Sequence, residues 1–518
     1  MKEGNKSMEV VVKSVEKVKP SWYKYSSLVS EDDHELRPPF KLCSLDQLVT
    51  AATYTPLILF YTMETASSWE WSPEIMSSKL RESLSLTLTS YYPLSGRVKD
   101  GVVIENFEAG APFIESRVQG HSLAEFLRPP KLEFLNKLLP VEPLAFHQTT
   151  VTDDDDCDYD DRIPLELQLP AAQVIVQMNT FDCGGIAIGL CFNHQVVDGP
   201  IMSIFLRTWA AHCRQLLLMC GSAEGRELTA QSVSTEDLSR GSTAFPPRHQ
   251  GSPPQVLQPL IEEIEAKDNA IKTATRRFVF YDHAITSLRS LATTSTLIPT
   301  RTEALVAFIW GSTIAAATAS NSSKPLCLTQ AVNLRPRMKK REATDDELLL
   351  SQHSLGNLFS MAASFCNSGM ISTTTTATTA ISALAPLLRE AVVAAVDEKH
   401  LDVLSSQQGG FDAMVEGLGI GVPTLICSSW IRFGFSDIDF GWGKPVWSGA
   451  VGEAHRHNAA LRDMIILKEL APQKEGNIND YNNGGIEAWI RIDDKVMAAL
   501  EKDPDFLQFA TPNPPILY

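Results

Sequence analysis

A histidine and an aspartate four residues apart, followed at once by glycine and proline, are the side chains here best placed to do chemistry. They sit in Asn193-His194-Gln195-Val196-Val197-Asp198-Gly199-Pro200. Residues 173–179 alternate, with Val174, Val176 and Met178 on one side, which is the period of a strand. Asp182-Cys183-Gly184-Gly185 is turn chemistry, and the apolar run 186–192 reads as the second arm of a hairpin buried on both faces. Pro200 has no amide hydrogen and fits the first turn of a helix, whose apolar positions Ile201, Phe205 and Trp209 follow at helical spacing. His194 therefore stands where a strand gives way to a helix. Residues i and i+4 share a helical face, but Asp198 precedes the helix and reads as a capping or turn-holding carboxylate. Alone, such a histidine is more often structural than catalytic.

A second stretch lies far downstream. In Asp439-Phe440-Gly441-Trp442-Gly443, two glycines around a tryptophan let the backbone approach something closely while the indole is held at a fixed angle. A tight turn with a core tryptophan would look the same. A kinase reading of Asp-Phe-Gly fails, because no Gly-rich loop or His-Arg-Asp loop accompanies it.

Together the two stretches resemble the plant acyl-CoA-dependent acyltransferases of the BAHD family, which carry His-x-x-x-Asp-Gly and, later, Asp-Phe-Gly-Trp-Gly. Further blocks resemble the family along most of the chain. They include Leu45-Asp46-Gln47-Leu48, Tyr92-Pro93-Leu94-Ser95-Gly96-Arg97, Asn333-Leu334-Arg335-Pro336-Arg337-Met338 and Gly356-Asn357-Leu358-Phe359. They look most like the branch that acetylates alcohols of alkaloids and terpenoids. The resemblance implies an α/β, two-domain, chloramphenicol-acetyltransferase-like fold with mixed sheets and flanking helices. It implies acetyl-CoA or another acyl-CoA as co-substrate, no permanently bound cofactor and no metal, a small-molecule alcohol as acceptor, and a monomer. His194 becomes the general base, a role an imidazole of ordinary pKa near 6.5 can fill at neutral pH. Asp198 becomes a structural residue paired with an unidentified arginine. Asp439, Gly441, Trp442 and Gly443 become largely architectural, with Trp442 also a candidate oxyanion or coenzyme contact. Asn333, Arg335, Ser428 and Ser429 become coenzyme candidates. Condensation domains share His-x-x-x-Asp-Gly but usually place a second histidine where Asn193 stands. Pro200-Ile201 departs from the small residues common there in the family, and Ile201 is expected to narrow the space behind His194. An aromatic or branched acyl donor, or a non-catalytic relative, are the rival expectations.

The elements that must position these groups need two domains, since 518 residues exceed one ordinary core. The Ser-, Gly- and Pro-rich segment 219–269 reads as a crossover between an N-terminal domain, 1–218, and a C-terminal domain, 270–518. Strands are expected over 9–19, 55–62, 277–281 and 485–492. Helices are expected over 73–91 (with Ile75, Leu80, Leu84 and Leu88 inward), 304–317, 381–397 and 493–501. The segment 153–161 holds seven aspartates in nine residues and reads as a solvated insert.

The net charge of -17 disfavours nucleic acid and anionic membranes as partners, and it would also repel a phosphate-bearing coenzyme. Arg335, helped by 339–341, is therefore expected to face the coenzyme's phosphates, unless that basic run is only a solvated loop. The nine scattered cysteines read as buried free thiols. The sequence reading finds no 18-residue apolar span and no signal peptide in the N-terminal residues, so a cytosolic protein is expected.

Overall fold

The computed structural model describes residues 7–24, 37–49, 53–62, 72–141, 172–220, 233–247, 272–338, 349–367, 376–406, 409–417, 422–452, 463–470 and 484–518. The Asp-rich segment 153–161 and residues 339–341 lie outside these.

Six strands form a first mixed sheet: β1 (Glu9–Val18), β3 (Tyr54–Tyr61), β6 (Ala111–Gln119), β7 (Val174–Phe181), β8 (Ile186–Asn193) and β13 (Trp447–Gly449). Their order is β1-β6-β7-β8-β3-β13, with only β6 and β7 parallel. A small sheet of β2 (Phe40–Lys41), β4 (Arg97–Lys99) and β5 (Val103–Glu105) lies beside it. Seven strands form the second large sheet: β9 (Thr273–Tyr281), β10 (Cys327–Asn333), β11 (Phe359–Phe365), β12 (Thr424–Ser429), β14 (Met464–Glu469), β15 (Gly485–Asp493) and β16 (Thr511–Pro512). Their order is β11-β10-β12-β14-β15-β9-β16, with β10, β12 and β14 parallel and the other pairs antiparallel.

Helices cover these sheets by burying one stripe each. The Pro73–Ser90 helix opens on Ser72, whose side chain accepts from the Ile75 amide, and buries Met76, Leu80, Leu84 and Leu88. Ile75 was expected in that stripe but is exposed; Met76, at the four-residue spacing, takes its place. This helix packs on the Gly199–Cys220 helix, where the Trp209 indole donates to Leu80 O at 3.1 Å and Ser83 Oγ at 3.0 Å. Each strand and helix expected from periodicity is present, with ends shifted by a few residues. The Arg301–Ala319 and Ala377–Ala394 helices correct the expectation that no long apolar span exists. Both are long and apolar enough to cross a membrane. In the fold they pack on one another and supply residues to the second core.

The second sheet is covered on both faces. Ile465, Leu467, Ala488 and Ile490 join the helices in the second core, whereas Met464, Ile466 and Trp489, on the opposite face, belong to the first core. The chain also crosses back. Residues expected in a C-terminal domain, from Trp430 through Val451, pack into the first core, and β13 adds a strand beside β3. Within the expected crossover 219–269, residues 233–247 are described and hold a helix, Thr235–Ala244. Of the described cysteines, Cys43, Cys191, Cys213, Cys327, Cys366 and Cys427 are buried and Cys183 is exposed, and none of these seven is in a disulfide.

Candidate functional site

His194 follows directly on β8, all eight residues of which are buried. Its amide donates to Thr53 O at 2.8 Å, which extends the β8–β3 pairing by one step. Asn193 is spent on the turn. Its Oδ1 accepts from the Gln195 amide, its Nδ2 donates to Gln173 Oε1, and its carbonyl accepts from Val196 and Val197. The helix then starts at Gly199. Asp198 Oδ1 accepts from the Ile201 amide at 3.1 Å, as an N-cap does. Ile201 itself is fully buried in the first core.

The other Asp198 oxygen answers which arginine it pairs with. Arg335 Nη1 donates to Asp198 Oδ2 at 2.7 Å, both side chains being almost fully buried. The rest of the guanidinium donates to Ser354 O and Gly356 O. Arg335 therefore does not face a coenzyme phosphate, as its place in the basic run had suggested. Its donors are consumed inside the protein, where it ties the histidine turn to the 354–358 segment. Asn333 Oδ1 holds the turn that carries Arg335 by accepting from the Arg335 amide at 3.1 Å. Ser428 and Ser429 end β12, half-buried and exposed respectively, with Ser428 Oγ accepting from the Trp430 indole at 3.1 Å. The structure thus brings His194, Asp198, Arg335 and Asn333 together.

Two further residues complete the cluster. Asn357 Nδ2 donates among three oxygens: His194 O at 2.7 Å, Gln195 O at 3.0 Å and Asp46 Oδ1 at 3.1 Å. An amide nitrogen surrounded by acceptors fixes which way the group points. Asn357 Oδ1 therefore faces His194 Nδ1, at 3.0 Å. A carbonyl oxygen can only accept, so Nδ1 carries the proton and the lone pair is on Nε2. Asp46 is buried and accepts from the Asn357 amide at 2.6 Å and the Cys43 amide at 2.8 Å. Gly356, at φ +113°, lets the backbone pass this carboxylate; a Cβ there would come within 2.9 Å of Asp46 Oδ2. Sequence reasoning quoted both residues within larger blocks without assigning them a task. The available signal was a polar residue within each block, Asp46 beside Gln47 and Asn357 between Gly356 and Leu358.

The Asp439–Gly443 loop lies elsewhere. Asp439 Oδ1 accepts from the amides of Gly441 and Gly443, Arg214 donates to Asp439 O, and Gly441, at φ +117°, leaves space that Leu217 fills. Upstream, Ser203 Oγ donates to Phe433 O at 2.5 Å. The segment 433–443 thus runs along the helix that starts at the histidine turn and contacts both ends of it. The Trp442 ring stacks on Phe440 and meets Tyr61 edge-on. Tyr61 is at the end of β3 opposite Tyr54, the residue paired with Asn193. Seven residues of strand separate them by about 23 Å. Trp442 is thus not placed to contact a group reacting at His194, and its position is architectural.

Residues 23–507 match the model of the Transferase family. The chain is 30% identical over 488 residues to akuammiline synthase 2 of Alstonia scholaris, covering 92% of this chain and 93% of that protein. It is 29% identical to limonoid 21-O-acetyltransferase of Melia azedarach, covering 92% and 95%. Its fold is similar to the crystal structure of vinorine synthase, with a TM-score of 0.68 at 24% identity over 98% of this chain and 99% of that one. With paired motifs, fold and sequence in agreement, the chain belongs to the Transferase family, the BAHD acyltransferases, and is an acyl-CoA-dependent O-acyltransferase.

Proposed function

We propose that this enzyme moves an acetyl group from acetyl-CoA to a hydroxyl of a plant specialised metabolite of the alkaloid or terpenoid kind, with His194 Nε2 as the general base. The observation that carries the base assignment is the Asn357 carbonyl on Nδ1, which leaves a lone pair on the opposite ring nitrogen. The half-buried His194 takes the hydroxyl proton on Nε2 as the acceptor oxygen attacks the thioester carbonyl carbon. The new C–O bond forms a tetrahedral intermediate. Its collapse breaks the C–S bond, and the sulfur leaves with the proton held on Nε2, so coenzyme A departs as a thiol. No covalent acyl-enzyme is needed. The donor and acceptor class are supported by relatives that include a limonoid O-acetyltransferase. Action as a monomer in the cytosol belongs to the same proposal, and light scattering of the purified protein tests the first part.

The test pairs purified enzyme with acetyl-, benzoyl-, tigloyl- and hydroxycinnamoyl-CoA against a panel of alkaloid and terpenoid alcohols. Acetyl transfer is expected to dominate, and His194→Ala to lower kcat by about 10²–10⁴-fold. Turnover of His194→Ala within about tenfold of the parent rejects the base assignment.

A further inference from the structure

We propose that Asp46 is a positioning residue of this acyl transfer: its buried carboxylate holds the Asn357 amide against His194 and faces, across that amide, the imidazolium that forms when Nε2 takes the proton. The proposal rests on His194 acting as the base.

Asp46 is 1% exposed, and its polar contacts are the Asn357 amide, Asn357 Nδ2, the Cys43 amide and the Cys43 thiol, all of them neutral donors. Among the described residues no lysine or arginine pairs with it. A buried carboxylate without a cation is expensive, and both of its oxygens are taken up by N–H donors, so a neutral asparagine would turn its own NH2 against one of them. The carboxylate satisfies these donors and at the same time places a negative charge beside the histidine turn. The adjoining group that turns positive is His194, one amide away, and only during the reaction. An anion fixed beforehand where positive charge will develop stabilises the transition state without reorganising.

The groups facing the carboxylate are Cys43, from its own loop, and Asn357, from the opposite segment. The next residue, Leu358, donates to Asp198, whose charge Arg335 already balances. Burial, partly offset by the donors on Asn357 and Cys43, pushes Asp46 up to about 6. It is ionised at neutral pH and takes a proton in mildly acidic solution.

The experiment compares Asp46→Asn, His194→Ala and the double variant with the parent, all with acetyl-CoA and a confirmed acceptor alcohol. The expected result for Asp46→Asn, read well below its unfolding temperature, is a kcat lower by more than about fivefold with an unchanged KM for acetyl-CoA, alongside a lower melting temperature from the N–H donor left facing the new amide. In the His194→Ala background Asp46→Asn should remove nothing more, because Asp46 acts through the imidazole. A smaller fall in kcat, or an equal fall in both backgrounds, overturns the proposal. If Asp46→Asn does not fold, the parent's pH profile decides. Two groups that must both lose a proton give an acid limb of log kcat/KM steeper than one per pH unit, and a slope of one down to about pH 5 overturns the proposal. Survival of activity in His194→Ala alone would instead refute the base, and is read separately.

Discussion

Two clusters of buried charge join the halves of this molecule, and they are balanced in opposite ways. In one, Glu487 sits between Arg277 and Lys468, at 2.9 and 2.8 Å, and also accepts from the Trp447 indole at 3.0 Å. Lys468 donates onward to Ser448 O, so β14 and β15 of the second sheet are fastened to β13 of the first. Burial works to raise Glu487, but the two cations outweigh it and hold the carboxyl at about 2. In the other cluster Asp198 has its arginine, yet Asp46, beside it, has only neutral amide and thiol donors and is pushed up to about 6 by burial. The first cluster is a strut with its anion fully compensated. The second keeps an uncompensated charge next to the one histidine at the site.

Breaking each cluster at its ion pair should give the largest effects. Arg335→Ala leaves Asp198 buried without its cation, and loss of one partner of such a pair removes about 3–5 kcal/mol. It also frees the 354–358 segment that carries Asn357, so kcat should fall as well. KM for acyl-CoA should stay nearly constant at low salt, because Arg335 spends its donors internally. A rise in that KM alone, with stability intact, would return Arg335 to the coenzyme. Glu487→Gln leaves Arg277 and Lys468 buried without an anion and should destabilise by a similar amount. Urea unfolding reads the loss, while the surviving folded enzyme keeps its kcat. That separation of stability from rate is what distinguishes the strut from the site.

The pH dependence sharpens the comparison, since the signs are opposite. Glu487 falls from an ordinary 4.5 to about 2 on folding, so it contributes stability that is present above about pH 4.5 and is lost as pH falls toward 2. Asp46 rises from 3.8 to about 6, so the folded state loses stability as pH climbs from about 4 to 6. Each shift corresponds to about 3 kcal/mol at most. Unfolding of Asp46→Asn should therefore be less pH-dependent than that of the parent between pH 4 and 6. Glu487→Gln should lose the parent's acid sensitivity below pH 4.5. Parallel curves for parent and variant in either window would show that the carboxylate is not shifted as described.

How much of this was legible differs between the two regions. The β7–β8 hairpin and the helix after Pro200 follow from alternation, turn residues and 3.6-residue spacing, all of which are local. The placement of His194 at their junction came with them. Asp198 could be read as a cap for the same reason. Its arginine could not, because the partner is 137 residues away and its basic neighbours drew Arg335 toward a phosphate reading. The Asp46–Asn357 contact spans 311 residues and leaves no periodic trace. Nor does β13, whose three residues are too few to show a period; its pairing with β3 is set by packing from both halves.

The smallest effect should come from the motif with the most conspicuous sequence. Trp442 lies in the first core, 8% exposed, stacked on Phe440 at 5.6 Å and edge-on to Tyr61 at 6.2 Å. The loop's hold on the long helix runs through other atoms, namely Asp439 with Arg214 and Leu217 over Gly441. Trp442→Phe keeps an aromatic ring in the stack and removes part of its volume, which should cost about 1–2 kcal/mol. Tyr61 is about 23 Å along β3 from Tyr54, so the lost volume lies against the end of the strand remote from the histidine turn. kcat and both KM values should stay within about twofold of the parent when measured well below the unfolding temperature. A large fall in kcat with unchanged stability would mean that the indole acts in the chemistry, contrary to its position. A fall that tracks the unfolded fraction would assign it, like Glu487, to the framework.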